Sequence, residues 1–160
     1  MIYPEFFPED RESEKAEKLV FEQLKKQAKT YDVFYSRRFV SSGLYKKPEY
    51  EVDFIIAIPN KAILCLEVKG GMIHYSGQKD VWTQSSKVMK KRPDAQSSGA
   101  AHALLKGYKD LIGDMAVGWG LCFPDCELNN QPLPSSIDSN QIIDQLGILY
   151  IDEELEQLFN

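Results

Sequence analysis

The stretch EVDFIIAIPNKAILCLEVKGG, residues 51–71, constrains the fold more than any other part of the chain. It contains two runs of β-branched and apolar residues that flank the tripeptide Pro-Asn-Lys. This pattern predicts strands over residues 51–58 and 62–69, joined by a turn. Nearly continuous apolar runs are typical of strands that are buried on both faces of a sheet. Charged residues inside such strands therefore indicate either a solvated face or a functional site.

Three charges lie within these strands, with Asp53 in the first and Glu67 and Lys69 in the second. Side chains alternate between the two faces of a strand, so Glu67 and Lys69 share a face, whereas Val52 and Phe54 share the face opposite Asp53. A three-residue turn would pair Asp53 directly with Glu67, with Cβ atoms about 4.5–5.5 Å apart. A two-residue turn would put them on opposite faces. A site built on this pair therefore requires a turn with an odd number of residues.

Two directly opposed carboxylates repel each other, so a positive group must lie beside them. Lys69 can neutralise one charge, and a divalent cation such as Mg²⁺ can neutralise both while keeping waters for a substrate phosphate. Such an ion polarises a phosphodiester and lowers the pKa of a water, which a neighbouring lysine can orient or deprotonate. Gly70 and Gly71 follow directly and allow a close approach of a ligand or another backbone. In the alternative interpretation, Lys69 only neutralises Glu67 on a surface strand.

The segment over residues 9–31 predicts a first helix, because acidic residues crowd its first turns and lysines its last. Its apolar stripe comprises Ala16, Leu19, Val20 and Leu24. Glu17 lies three and seven residues before two members of that stripe, which places it at the border of the buried face. The alternative for a border glutamate is a side chain that reaches into water.

The remaining chain alternates strand and helix patterns. Before the second half of the chain, we predict a strand at 31–40, a loop at 41–50 and a third strand or hairpin around Gly77. After these we predict a helix at 92–113, a strand at 116–123 and a long loop at 124–147 with a helical turn near 140–145. The chain then forms a strand at 146–151 and a helix capped by Asp152. The apolar positions of the second helix are Ala100, Ala101, Leu104, Leu105, Tyr108, Leu111 and Ile112. The order predicts an α/β sandwich around a mixed sheet. We expect one domain over residues 1–160, and the end two turns into a helix is typical of a domain cut from a longer protein.

The charge distribution is strongly asymmetric, although the net charge is only −5. All 19 Lys and Arg residues lie before residue 110, and residues 110–160 contain only acidic charges. Such asymmetry permits one basic face on an acidic protein. The candidates for phosphate contacts are Arg37, Arg38, Lys90, Lys91 and Arg92. The alternative is that each basic cluster is a solvated loop.

Other compositional features favour a cytoplasmic protein. No apolar run approaches the roughly 20 residues of a membrane helix, and the acidic N-terminus lacks the apolar core of a signal peptide. Three cysteines are too few, and odd in number, for a disulfide framework.

The motif Glu-Val-Asp-Phe followed by Leu-Glu-Val-Lys-Gly-Gly resembles the core of the PD-(D/E)XK nuclease superfamily, and within it the nuclease-related domain, NERD. The resemblance covers most of the chain and includes the glutamate of the first helix and a glutamine, Gln96, in the second. It implies a restriction-endonuclease-like three-layer sandwich, with a mixed central sheet flanked by helices and core order helix-strand-strand-strand-helix-strand. Two positions depart from the family's pattern: Ala16 stands where members often have Gly, and Arg92-Pro93 where they often have Asn-Pro.

The resemblance also implies site roles. Asp53 and Glu67 would bind Mg²⁺ or Mn²⁺ with the Val68 carbonyl, and Lys69 would position the attacking water. Glu17 would assist the metal or its waters, and Gln96 would lie near the site. The implied activity is hydrolysis of DNA phosphodiester bonds, beside a helicase or another DNA-processing module. The alternative is a non-catalytic module of the same fold that binds nucleic acid or protein.

Overall fold

The structure is a computed structural model that describes residues 1–28, 30–40 and 49–160. The predicted loop at 41–50 lies almost entirely outside the described residues. The strands are β1 (Ile2–Tyr3), β2 (Asp32–Val40), β3 (Glu49–Ile58), β4 (Ala62–Val68), β5 (Ile73–Ser76), β6 (Val81–Gln84), β7 (Lys87–Val88), β8 (Ala116–Cys122) and β9 (Ile142–Ile143). The helices are α1 (Lys15–Gln27), α2 (Pro93–Gly107), α3 (Lys109–Ile112) and α4 (Ile151–Phe159).

The main sheet has six strands in the order β1-β2-β3-β4-β8-β9. The β2–β3 and β3–β4 pairs are antiparallel, and β1–β2, β4–β8 and β8–β9 are parallel, so the predicted mixed sheet is confirmed. α1 and α4 cover one face and α2 covers the other. The architecture therefore fits a three-layer sandwich.

The face under α1 and α4 carries the largest apolar cluster, here called the α1 cluster. It includes Val20, Phe21 and Leu24 of α1 together with residues of β2, β3, β4, β8, β9 and α4. The prediction that Leu19 belongs to the apolar stripe of α1 is wrong, because Leu19 is 40% exposed and Phe21 packs inward instead. Glu17 precedes these three buried residues at helical spacing, so it lies at the border of the buried face as predicted.

The opposite face carries the α2 cluster, built from Val52, Cys65 and the small residues Ala100, Ala101 and Ala103. Small side chains let α2 approach the sheet, and the buried Ser97 hydroxyl lies 3.1 and 2.9 Å from the carbonyl oxygens of Cys65 and Gly120, which share its one donor hydrogen. The predicted inward positions Leu105 and Leu111 are wrong, because they are 42% and 81% exposed. The helix ends at Gly107 and a separate short helix begins at Lys109. A single helical repeat therefore does not predict which residues of both helices face the sheet.

The segment around Gly77 forms the predicted hairpin, β5 and β6, but it belongs to a separate three-stranded sheet with β7. Trp82 anchors this sheet at 1% exposure and packs against Tyr75 and Phe123, in what we call the second-sheet cluster. The sheet is tied to the end of β4, because the Gln84 amide donates to the Gly70 carbonyl at 2.7 Å. The second sheet thereby forms a wall beside the end of β4.

The predicted strand at 146–151 is wrong. Residues Gly147–Tyr150 form a 3₁₀ turn, and α4 begins at Ile151 with Tyr150, rather than Asp152, in the capping position. The physical reason is the Asp144 side chain, which accepts hydrogen bonds from the backbone of Gly147 and Leu128 and so fixes a tight turn. The predicted helical turn is present at Ser139–Gln141 and is followed by β9 rather than by loop.

Each apolar cluster contains one buried free thiol: Cys122 in the α1 cluster, Cys126 in the second-sheet cluster and Cys65 in the α2 cluster. Burial raises the pKa of all three thiols. None of the helices in the described part of the chain has the length and apolar character needed to cross a bilayer.

Candidate active site

The turn between β3 and β4 sets the geometry of the site. The two strands pair from Ile58 with Ala62 to Phe54 with Leu66, which leaves a three-residue turn between them. The turn is closed by a 3.0 Å hydrogen bond from the Lys61 amide to the Ile58 carbonyl, with Asn60 at φ 61°. The odd turn length is confirmed, so continuing the register brings Asp53 opposite Glu67.

The regular pairing of β3 is interrupted at Asp53. The β2–β3 ladder skips Asp53 and its neighbour Ser36, which has a φ of 51°. Beyond Phe54 the β3–β4 ladder is replaced by a 2.8 Å hydrogen bond from the Val68 amide to the Asp53 carboxylate. The predicted alternation fails here, because Val52 packs in the α2 cluster while Phe54 packs in the α1 cluster. This change of face directs the Asp53 carboxylate to the end of β4.

Asp53 and Glu67 form an acidic pair beside the end of β4, in which Glu67 is buried and Asp53 is half-buried. Their carboxyl groups lie within hydrogen-bonding reach of each other, and Glu67 is 6% exposed. Burial, followed by the charge of Glu67, raises the pKa of Asp53 to about 8. Burial also raises the pKa of Glu67, against the opposing effect of Lys69, whose Nζ lies 3.3 Å from Glu67 Oε1. Both shifts favour the protonated forms of the pair, whereas a bound cation would favour the ionised forms.

Glu17 adds a third carboxylate from α1. The Tyr35 hydroxyl donates to its Oε1 at 2.8 Å, and an Arg11 nitrogen lies 3.3 Å from the same oxygen. Burial, followed by the charge of Asp53, raises the pKa of Glu17 to about 7. The structure thus brings Glu17 close enough to the Asp53–Glu67 pair for their charges to interact.

The turn after Lys69 positions α1 against β4. A Cβ placed on Gly70 would lie 2.9 Å from the Ala16 Cβ and 3.1 Å from an Asp125 oxygen. The Gly71 amide donates to the same Asp125 oxygen at 2.8 Å, with a φ of 81° that favours glycine. Because Gly70 has no side chain, Ala16, the residue before Glu17, can lie against the turn that follows Lys69.

Two cavities share Asp53 and Glu67. One, of about 570 Å³, is also lined by Arg11, Arg38, Tyr50, Glu51, Lys91 and Gln96. The other, of about 410 Å³, is also lined by Glu17, Val68, Lys69, Gln84 and Asp125, among others. Gln96 therefore lines the same cavity as the acidic pair, and its Oε1 is buried with no hydrogen-bond partner among the described residues.

The predicted phosphate contacts divide into two groups. Arg38 and Lys91 line the larger cavity, and Lys90 and Lys91 line a depression of about 300 Å³ beside Lys69. Arg37 and Arg92 lie outside the linings of these three cavities. The Arg37 guanidinium lies 5.6 Å from the Phe34 ring centre, and Arg92 is paired with Asp94 and Asp80 at 3.0 Å each.

Four residues near the site were missed by the sequence analysis: Arg11, Tyr35, Glu51 and Lys87. Arg11 and Glu51 line the larger cavity, Tyr35 holds Glu17, and Lys87 lies in the lysine-lined depression. The run of basic residues starting at Lys87 was a usable signal for that residue. For the other three, the contacts depend on how α1 and β2 pack, which no local pattern encodes.

Across residues 1–28, 30–40 and 49–160, no group of three or more His, Cys, Asp or Glu side chains is arranged to hold a metal ion. The acidic pair and the nearby backbone thus offer oxygen donors at the site, and the Glu17 carboxylate is held by Tyr35 and Arg11.

The fold and the site together define a class of protein. It is a mixed α/β sandwich that carries an acidic pair and a lysine where the pairing of its β3 and β4 strands stops. The chain matches the nuclease-related domain, NERD, over residues 12–121, more than half of its length. It belongs to this family. Comparison with curated proteins and with solved structures gives no significant match.

Proposed function

We propose that the protein is a Mg²⁺- or Mn²⁺-dependent nuclease that hydrolyses DNA phosphodiester bonds. The observation that carries this proposal is the Asp53–Glu67 pair beside the end of β4, open to two cavities and with Lys69 3.3 Å from Glu67. Membership of a nuclease-related family supports the reaction class. From the resemblance of its motifs to the PD-(D/E)XK nucleases, we also propose that the protein acts beside a helicase or another DNA-processing module.

The donor set suits a hard cation. Asp53, Glu67 and the backbone of Val68 offer oxygen atoms, and a cation would relieve the repulsion between the ionised carboxylates. Two carboxylates match Mg²⁺, which keeps several waters, better than Ca²⁺, which takes six to eight oxygen ligands. When bound, such an ion would polarise the phosphodiester and lower the pKa of a water.

The chain's own residues supply the remaining steps. Lys69 would orient the attacking water or accept its proton as the water attacks the phosphorus. Glu17, fixed by Tyr35, would accept a hydrogen bond from a second water. Arg38 and Lys91, in the larger cavity, would bind backbone phosphates and set the position of the strand.

The direct test uses labelled duplex and single-stranded DNA with Mg²⁺, Mn²⁺ or EDTA. We expect metal-dependent cleavage that falls about 10²- to 10⁴-fold in Lys69→Ala, the range for loss of a proton-transfer residue. The control is Lys79→Ala, an exposed lysine in the turn between β5 and β6. Equal cleavage by Lys69→Ala and wild type would overturn the site assignment.

A second candidate is a non-catalytic module that binds nucleic acid or a partner protein. The observation that favours it is the lack of a third metal-holding side chain among the described residues. Metal-dependent stabilisation separates the two functions, since a ligand at 100 times its Kd adds about 2.7 kcal/mol to the free energy of unfolding. A thermal shift with Mg²⁺ or Mn²⁺ that disappears in Asp53→Ala supports the nuclease. No shift in the wild type supports the binding module.

A further inference from the structure

The larger cavity holds two arginines that converge on one carboxylate. Arg11 comes from the 3₁₀ turn before α1, and Arg38 comes from β2. A nitrogen of Arg11 lies 3.7 Å from Glu51 Oε1, and a nitrogen of Arg38 lies 3.8 Å from Glu51 Oε2. Both arginines and Glu51 line the cavity that contains Asp53 and Glu67.

These ion pairs are long and partly solvated. The side chains of Glu51 and Arg38 are 40% and 64% exposed, and exposed pairs of this kind contribute little to stability. Ser36 adds one neutral hydrogen bond to Glu51 at 3.3 Å. The Arg11 Nε is buried and has no hydrogen-bond partner among the described residues. Arg11 and Arg38 therefore lie near the Glu51 carboxylate but keep hydrogen-bond donors that it does not occupy.

A phosphodiester can take the place of the carboxylate at this position. Each phosphodiester carries one negative charge, as Glu51 does, and the planar guanidinium group binds phosphate through two parallel hydrogen bonds. Arg11 also lies 3.3 Å from Glu17, so one side chain links the cavity wall to the acidic cluster. A strand whose phosphate binds here would lie beside the Asp53–Glu67 pair.

We propose that Arg11 and Arg38 form a subsite for a backbone phosphate of a nucleic-acid strand, and that Glu51 occupies this subsite until the phosphate displaces it. The proposal rests on the proposed function, because it names the neighbour of the phosphodiester to be cut. Glu51 then reduces affinity for nucleic acid in two ways, by occupying the arginines and by placing a negative charge in the cavity.

The test measures binding of a fluorescein-labelled DNA oligonucleotide by fluorescence anisotropy, in EDTA and at several salt concentrations. Glu51→Gln should tighten binding about three- to tenfold, because it frees the arginine pair. The matched control is Glu22→Gln on the exposed face of α1, which removes the same charge outside the cavity. Arg38→Ala should weaken binding and reduce the slope of log K against log salt by about 0.7–0.9, the value for one lost phosphate contact.

The double variant Arg38→Ala/Glu51→Gln separates competition from general charge. If Glu51 acts by occupying the arginines, most of the gain from Glu51→Gln disappears when Arg38 is absent. The proposal is overturned if Glu51→Gln behaves like Glu22→Gln, or if its gain persists unchanged without Arg38. If the wild-type protein cleaves DNA with none of the metals but the variants change binding as expected, the nuclease function is overturned and the phosphate subsite is supported.

Discussion

The two halves of the β3–β4 hairpin differ in almost every physical respect. The half next to the turn, from Phe54 to Ile58 and from Ala62 to Leu66, is a regular ladder whose side chains fill the α1 and α2 clusters. The other half begins at Asp53, where the ladder stops and a side chain takes over a backbone hydrogen bond. There, the Asp53 and Glu67 carboxylates interrupt the apolar pattern.

The difference shows how one hairpin serves two purposes. Apolar packing in the closed half stabilises the fold and fixes the register. In the open half the carboxylates oppose folding, because burial and mutual repulsion disfavour their charged forms. The closed half therefore supplies the stability that keeps the acidic pair in place, a pattern typical of functional sites. Four predictions test this division.

The largest expected effect is on the closed half. Leu66→Ala removes a fully buried side chain from the α1 cluster and should lower the free energy of unfolding by about 2–5 kcal/mol. Urea unfolding followed by circular dichroism measures the loss. The control is Leu111→Ala at an 81% exposed leucine, which should stay within about 0.5 kcal/mol of wild type. A loss from Leu66→Ala no larger than the control's would show that the closed half is not the stabilising one.

The second prediction concerns pH dependence in the open half. Raised pKa values of about 7 for Glu17 and about 8 for Asp53 mean that the folded state binds more protons than the unfolded state between about pH 4 and 8. The stability of the metal-free protein should therefore fall as the pH rises through this window. We expect the Tm to drop by roughly 4–8 °C between pH 6 and 9, equivalent to about 2 kcal/mol.

Two variations sharpen the pH prediction. Asp53→Asn should flatten the decline, because it removes the group whose pKa is raised furthest into the window, whereas Asp110→Asn on the exposed surface should not. Addition of Mg²⁺ should restore stability mainly above pH 7, since metal ligands must be deprotonated. A Tm that rises with pH in EDTA would contradict the assignment of protonated carboxylates.

The third prediction concerns the boundary between the open half and α1. Gly70→Ala would place a Cβ 2.9 Å from the Ala16 Cβ, and overpacking of this kind costs about 1–3 kcal/mol. Ala16→Gly should restore part of the loss when combined with it, because it removes the Cβ that the new side chain would meet. Thermal unfolding of the two single variants and the double variant gives the coupling. Additive losses would show that Gly70 does not position α1.

The smallest effect is expected at the turn. Asn60 has a φ of 61°, and an ordinary L-residue there costs about 1–2 kcal/mol. Asn60→Ala should therefore lower stability by about 1 kcal/mol, while Asn60→Gly should change it by only a few tenths. Chemical denaturation of the pair measures the difference. Equal effects of the two substitutions would show that the turn conformation does not depend on residue 60.

The hairpin could be predicted because two local signals agree. The apolar pattern of the strands and the Pro-Asn-Lys turn both favour the register that opposes Asp53 to Glu67, and tertiary packing does not override them. The placement of Glu17 followed from helical spacing in the same way. Such positions depend on neighbours within a few residues or directly across a hairpin.

Other features depend on distant contacts and escaped the sequence. The change of face at Asp53 arises where Ser36 interrupts the neighbouring strand. The apolar, β-branched run before α4 has strand propensity, yet Asp144 turns it into a 3₁₀ segment. The contact of Arg11 with Glu51 joins residues forty positions apart, and an acidic N-terminal segment gives no local sign of it.

The distribution of the three thiols provides a set of internal reporters. Cys122, Cys126 and Cys65 each lie in a different apolar cluster, and burial protects each of them from thiol reagents in the folded state. The rate at which each thiol becomes alkylated, read by mass spectrometry, therefore follows the opening of one layer at a time. The protein thus carries, without any engineering, a probe that can tell whether its layers come apart together or in sequence.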